Sequence, residues 1–127
     1  MDRYKKYIPT EAEEQVTLFQ WAEIYSNKWP ELKLMFHIPN GGSRNVIEAH
    51  SLRLQGVKPG IPDICLPVAK SGYNGLYVEL KRKVGGRVSE EQEKMIESLK
   101  VQGYFVEVCK GWEEAAKMIE KYLEGKA

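Results

Sequence analysis

Little in this chain supplies the commoner materials of a binding or catalytic site. It has two cysteines in 127 residues, too few for a disulfide framework and with no pair at zinc-ligand spacing. Cys65 and Cys109 both sit inside apolar runs and read as reduced thiols serving as small hydrophobes. His37 and His50 are the only histidines, and neither has a partner at ligand spacing, which argues against histidine-based metal or acid–base chemistry. Gly-x-Gly and Walker-type phosphate loops are missing. No segment approaches the ~20 apolar residues of a membrane span, and the opening Met1 to Tyr7 lacks the apolar core of a signal peptide. A cytoplasmic protein with no membrane association is expected. There is no internal repeat and no low-complexity tract.

Charge of one sign is lacking too. With 19 basic and 18 acidic side chains the net charge is only +1, so affinity for a polyanion must come from local clusters. Lys81-Arg82-Lys83 with Arg87 is one, and Arg44, Arg53 and Lys58 form another, although solvated surface charge explains such residues equally well. Residues 1–127 are expected to form a single domain that buries about two thirds of its unfolded surface. Trp21, Trp29, Trp112, Tyr73 and Tyr77 read as packing groups.

What is present is a clear order of elements. Thr10 with Glu13 three residues later is a capping box for a helix running to about Tyr25, with Leu18, Phe19 and Ala22 at helical spacing. Leu32 to Ile38 reads as a strand, Pro39 to Gly42 as a turn, and Ser43 to Gln55 as a helix stopped by Gly56. Strands follow near 61–68 and 75–81, with Gly85-Gly86 as a loop. Ser89 starts a helix ending before Gly103, Tyr104 to Cys109 is a strand, and Trp112, Ala115, Ala116, Ile119 and Leu123 mark a last amphipathic helix. The order α-β-α-β-β-α-β-α predicts an α/β fold. The helical crossover between 75–81 and 104–109 allows those strands to lie parallel.

Asp63 opens the first strand of the hairpin and Glu79-Leu-Lys81 closes the second. In an antiparallel pair those positions lie opposite each other, so two carboxylates and an ammonium meet at one end. Residues two apart share a strand face, so Glu79 and Lys81 project together while Leu80 turns to the core. Paired carboxylates suit a hard divalent cation, which makes bound water more acidic and neutralises charge on a phosphate. Lys81 is placed to orient the attacking water or to pair with the phosphate. The chemistry implied is phosphodiester hydrolysis. On the first helix two acids compete to join this site: Glu11, four residues before Gln15, and Glu14, four before Leu18. Gln92 completes a capping box with Ser89, a sufficient structural reason for it, yet it shares a helix face with Ile96 and Leu99 that turns toward the Glu79 end of the sheet. Asn40, Gly41 and Gly42 offer backbone amides to a phosphate with Arg44 close behind; a plain tight turn explains them as well.

Gly60-Ile-Pro-Asp63 with Glu79-Leu-Lys81 resembles the PD-(D/E)XK nuclease superfamily. Ile38-Pro-Asn40-Gly-Gly-Ser-Arg44, Gly56-Val-Lys58-Pro-Gly60, Arg87-Val-Ser-Glu-Glu-Gln92 and Gly103 to Cys109 narrow the likeness to its VRR-NUC branch, of the stand-alone phage or bacterial type. The resemblance implies a restriction-endonuclease-like core, a central mixed sheet flanked by helices. It implies a Mg2+- or Mn2+-dependent endodeoxyribonuclease in which Asp63, Glu79 and the main-chain carbonyl of Leu80 hold metal. It favours Glu11 as the helix acid, gives Lys81 the nucleophile, and puts Gln92 near the reaction. Asn40, Gly41, Gly42, Arg44, Lys58, Lys83 and Arg87 are the expected DNA contacts. Branched DNA is the expected substrate, cut by a homodimer in the manner of a Holliday junction resolvase, in a bacterium or a phage-infected one. The alternatives are a nicking or flap-type nuclease and a catalytically silent DNA-binding module. Intact Asp63, Glu79 and Lys81 argue against silence.

Overall fold

The computed structural model describes residues 6–39 and 45–127. Helix α1, Glu11–Tyr25, begins at the expected capping box: Thr10 accepts from the Glu13 N–H and the Glu13 carboxylate accepts from the Thr10 N–H. Its buried face carries Glu14, Leu18, Trp21 and Ala22. The strand expected over 32–38 is much shorter. Pro30 starts a 3-10 helix over Pro30–Leu34 that Met35 closes by donating to the Leu32 carbonyl, leaving strand β1 only Phe36–His37. A proline pre-set for a turn outweighs the alternation of Leu32, Leu34 and Phe36.

Helix α2, Val46–Leu54, is capped by Asn45 and buries none of its residues. Strand β2 is Ile64–Leu66, not 61–68. Pro62 and Pro67 bracket it, and a residue without an N–H cannot extend the ladder. Strand β3, Leu76–Lys81, occupies the inside of the sheet, and helix α3, Glu90–Val101, crosses to strand β4, Phe105–Lys110. Helix α4, Trp112–Leu123, ends the fold.

The sheet order is β1-β2-β3-β4, with β1–β2 and β2–β3 antiparallel and β3–β4 parallel, as the helical crossover predicts. This is the mixed α/β sheet expected. Leu76, Val78 and Leu80 of β3 point to one face, into a core shared with Leu18, Trp21 and Ala22 of α1 and Ala115, Ile119, Tyr122 and Leu123 of α4. The alternate residues Tyr77, Glu79 and Lys81 point to the face that α3 covers. Both cysteines are free and buried, and burial pushes the Cys109 thiol up to about 12, in keeping with an inert core role. No helix among the described residues is long and apolar enough to cross a membrane.

Candidate active site

The antiparallel β2–β3 register pairs Ile64 with Val78. Continued by one step it sets Asp63 against Glu79, and by two it sets Pro62 against Leu80. Asp63 lies just outside the ladder, and its carboxylate takes over part of it: Oδ2 accepts the Leu80 N–H at 2.8 Å. Within a strand the N–H and C=O of one residue point to the same edge. The Leu80 carbonyl therefore also faces the β2 side, where Pro62 has no N–H to give it. A proline at this place ends the strand and leaves a main-chain acceptor beside Asp63.

Glu79 and Lys81 are buried, with 2% and 8% of their surface exposed, so they are not the solvated charges of an ordinary hairpin end. One residue of α3 organises them. Gln92 donates from Nε2 to Glu79 Oε1 at 3.0 Å, and its Oε1 accepts from Lys81 Nζ at 3.1 Å and from the Ser89 N–H at 2.8 Å. The capping role and the site role of Gln92 are thus one arrangement. Lys81 Nζ also lies 3.5 Å from Glu79 Oε1. The other oxygen, Glu79 Oε2, is buried with no hydrogen-bond partner among the described residues. Burial first, then the charge of the neighbouring Asp63 carboxylate, push the Glu79 carboxyl up to about 8, against the pull of Lys81. No group of three or more His, Cys, Asp or Glu side chains among the described residues comes together to hold a metal. The convergent oxygens are two carboxylates and a main-chain carbonyl.

The two helix acids go different ways. Glu14 is 1% exposed and faces the start of α4, where its Oε1 accepts the Trp112 N–H at 3.4 Å and its Oε2 lies 3.9 Å from Lys83 Nζ. Glu11 is exposed in the first turn of α1. Gln15, one turn further on, lines a groove of about 420 Å³ with Val16, Phe19, Gln20, Glu23 and His37. His37 in turn touches Asp63: its Nδ1 is 2.9 Å from the Asp63 main-chain oxygen.

The basic residues are also sorted. Lys83 is held between Glu14 and Glu113, the latter at 3.1 Å, and Arg82 is committed to the Ile8 and Pro9 carbonyls. Arg87 and Lys58 are exposed. Asn40, Gly41, Gly42 and Arg44 lie outside the described residues.

Three positions acquire a meaning that their spacing did not reveal. Gly60 has φ +82°, and a Cβ there would sit 2.6 Å from the Glu91 carbonyl oxygen, so the loop leading to Asp63 packs against the first turn of α3 only because residue 60 has no side chain. Gly86 folds back on Lys81, whose Cβ would lie 2.9 Å from an added Cβ. His37 is the third; its link to Asp63 spans 26 residues and no local pattern marks it.

The sequence profile of the VRR-NUC domain matches residues 3–113. A solved structure described as a VRR_NUC domain protein aligns with a TM-score of 0.81 at 28% identity, covering 94% of this chain and 92% of that one. No curated protein matches. With that profile spanning most of its length and its sheet matching that of a solved member, the chain belongs to the VRR-NUC family, whose domain implies a function of the nuclease type.

Proposed function

We propose that this protein is a Mg2+- or Mn2+-dependent DNA endonuclease that hydrolyses phosphodiester bonds at the Asp63–Glu79–Lys81 site. The observation that carries the reading is Glu79 Oε2: a buried carboxylate oxygen with no hydrogen-bond partner among the described residues, beside a second carboxylate. Such an oxygen costs free energy in the isolated protein, and a hard cation with oxygen ligands removes that cost. Asp63, Glu79 and the Leu80 carbonyl would hold the ion, and Glu11, one turn before Gln15 on α1, would reach it directly or through water. A bound divalent cation supplies Lewis acidity, making water a better nucleophile and neutralising charge on the phosphate. Lys81, with its ammonium held by Gln92 and Glu79, orients the nucleophile or the phosphate oxygen. Gln92 keeps the two reacting side chains in register.

Branched DNA is the proposed substrate, bound by a homodimer. A four-way junction has near-twofold symmetry, and two copies of one site related by a twofold axis can cut two strands of like polarity. Arg87 and Lys58, both exposed, would contact phosphate, and Lys83 would do so less because Glu14 and Glu113 already occupy it. Purified protein incubated with linear duplex, nicked, flap and four-way-junction DNA tests the reading. Paired cuts in the junction that require Mg2+ support it; cutting in EDTA at the same rate contradicts the metal site, and nicking of all substrates alike by a monomer favours a nickase.

A further inference from the structure

Asp63 is the least supported of the three site residues by regular structure. It precedes β2, so no ladder pair fixes its main chain. Three hydrogen bonds hold the residue instead, one at its side chain and two at its main chain. Leu80 N–H holds the carboxylate, and the Asp63 carbonyl accepts from the Ile38 N–H at 2.6 Å and from His37 Nδ1 at 2.9 Å. Two of these come from the edge of the sheet: one from His37, the last residue of the two-residue strand β1, and one from Ile38 just after it.

The chemistry of the His37 contact is unambiguous. A carbonyl oxygen only accepts, so Nδ1 must carry the hydrogen, which fixes the tautomer and leaves Nε2 of the neutral ring bare. Ring and main chain together give the Asp63 carbonyl two donors. The peptide unit that carries the Asp63 side chain is therefore locked against β1, and the carboxylate emerges from a fixed direction toward Glu79.

We propose that His37 is a positioning residue: its Nδ1–H, donated to the Asp63 main-chain carbonyl, sets the geometry in which Asp63 and Glu79 together meet a divalent cation. The proposal rests on the reading of Asp63 and Glu79 as a cation site. The role resembles that of groups behind metal ligands generally, whose loss weakens metal binding or activity by about 10–100-fold. His37 acts through Asp63 and has no reacting atom of its own.

His37→Ala, His37→Asn and His37→Gln separate this role from others, because an asparagine amide nitrogen falls near the Nδ1 position and a glutamine amide near Nε2. For each variant and the wild type, Mg2+-induced thermal stabilisation is measured without DNA, and kcat and KM are measured on junction DNA across a Mg2+ titration. His37→Ala is expected to raise the half-saturating Mg2+ concentration about tenfold, with little change in KM for DNA or in the melting temperature of the metal-free protein. His37→Asn is expected to restore most of the loss and His37→Gln little. A wild-type Mg2+ response that His37→Ala leaves unchanged overturns the proposal, as does rescue by His37→Gln alone, which would assign the function to Nε2. If wild type itself shows no Mg2+ response, it is the cation site that fails. Nitrogen-15 NMR of the imidazole reads which ring nitrogen carries the hydrogen, independently of any cleavage. A protonated Nδ1 with a bare Nε2 is expected; the reverse tautomer overturns the proposal.

Discussion

Glu79 and Glu14 are both almost fully buried, both lie near a lysine, and both keep one carboxylate oxygen without a hydrogen bond among the described residues. They occupy opposite faces of one sheet and differ in what else surrounds them. Glu14 meets the first N–H of α4, where exposed helix amides carry partial positive charge, and the Lys83 ammonium. Its neighbourhood is positive, and it ties α1 to the start of α4. Glu79 has Lys81 and Gln92 on one oxygen but a second carboxylate, Asp63, beside it. The same residue type, equally buried, is a structural tie where its surroundings are cationic and a site awaiting a cation where they include another acid. Burial alone does not identify a functional acid; the sign of its neighbours does.

The largest effect that distinguishes the two is on cleavage. Asp63→Ala, Glu79→Ala and Lys81→Ala are each expected to lower the single-turnover rate about a thousandfold, with folding retained by circular dichroism. Glu14→Gln should cut DNA at close to the wild-type rate while losing about 1–2 kcal/mol of stability, and Glu11→Ala should lie between. If Glu14→Gln were as inactive as Glu79→Ala, the two acids would belong to one site.

The stability of the metal-free protein sharpens the contrast with the opposite sign. The Glu79 carboxyl is raised from 4.5 to about 8 in the folded state, so between those values the native protein holds a proton that the unfolded chain has released. Stability from this group is therefore full below pH 4.5 and is lost as pH rises through about 8. Glu79→Gln removes that dependence. In EDTA at pH 8 its melting temperature should exceed the wild type's, the gap closing at pH 5, although the variant is inactive; a lower melting temperature at both pH values would mean that Glu79 is a stabilising partner like Glu14.

Much of this arrangement was legible in the sequence. Glu-Leu-Lys at the end of an apolar run sorts itself on a strand because the side-chain period is two, and the register of a hairpin carries Asp63 to the same end. The capping boxes at Thr10 and Ser89 placed the starts of α1 and α3 to the residue. What local patterns could not show were relations across the fold. Whether Glu11 or Glu14 was buried depended on where α4 begins, and α4 begins at Trp112 after Gly111, whose lack of a side chain lets Lys83 and Glu14 approach: a Cβ there would sit 2.7 Å from Lys83 Cε and 3.2 Å from Glu14 Oε2. The strand ends near 32 and 61 went astray because Pro30, Pro62 and Pro67 act more strongly than apolar alternation. His37 carried no local signal, since its partner is a main-chain oxygen just before β2, distant in sequence.

The smallest difference concerns the lysines and arginines around the two acids. Arg87→Ala should weaken binding to every DNA shape and reduce the slope of log affinity against log salt by about 0.9. Lys83→Ala should change that slope less and lower the melting temperature more, because its ammonium sits between Glu14 and Glu113. Equal slopes for the two variants would show that Lys83 leaves its carboxylates for phosphate.

Thermal melting of wild type, Glu79→Gln and Glu14→Gln across a Mg2+ titration, without DNA, asks most directly whether the Glu79 pair is completed by a cation. A site saturated a hundredfold over its Kd adds about 2.7 kcal/mol, a rise of roughly 5–10 °C for a chain of this size. Wild type and Glu14→Gln should show that rise and Glu79→Gln should not. A wild type indifferent to Mg2+ and Mn2+, or a response that survives Glu79→Gln and disappears with Glu14→Gln, would contradict the assignment.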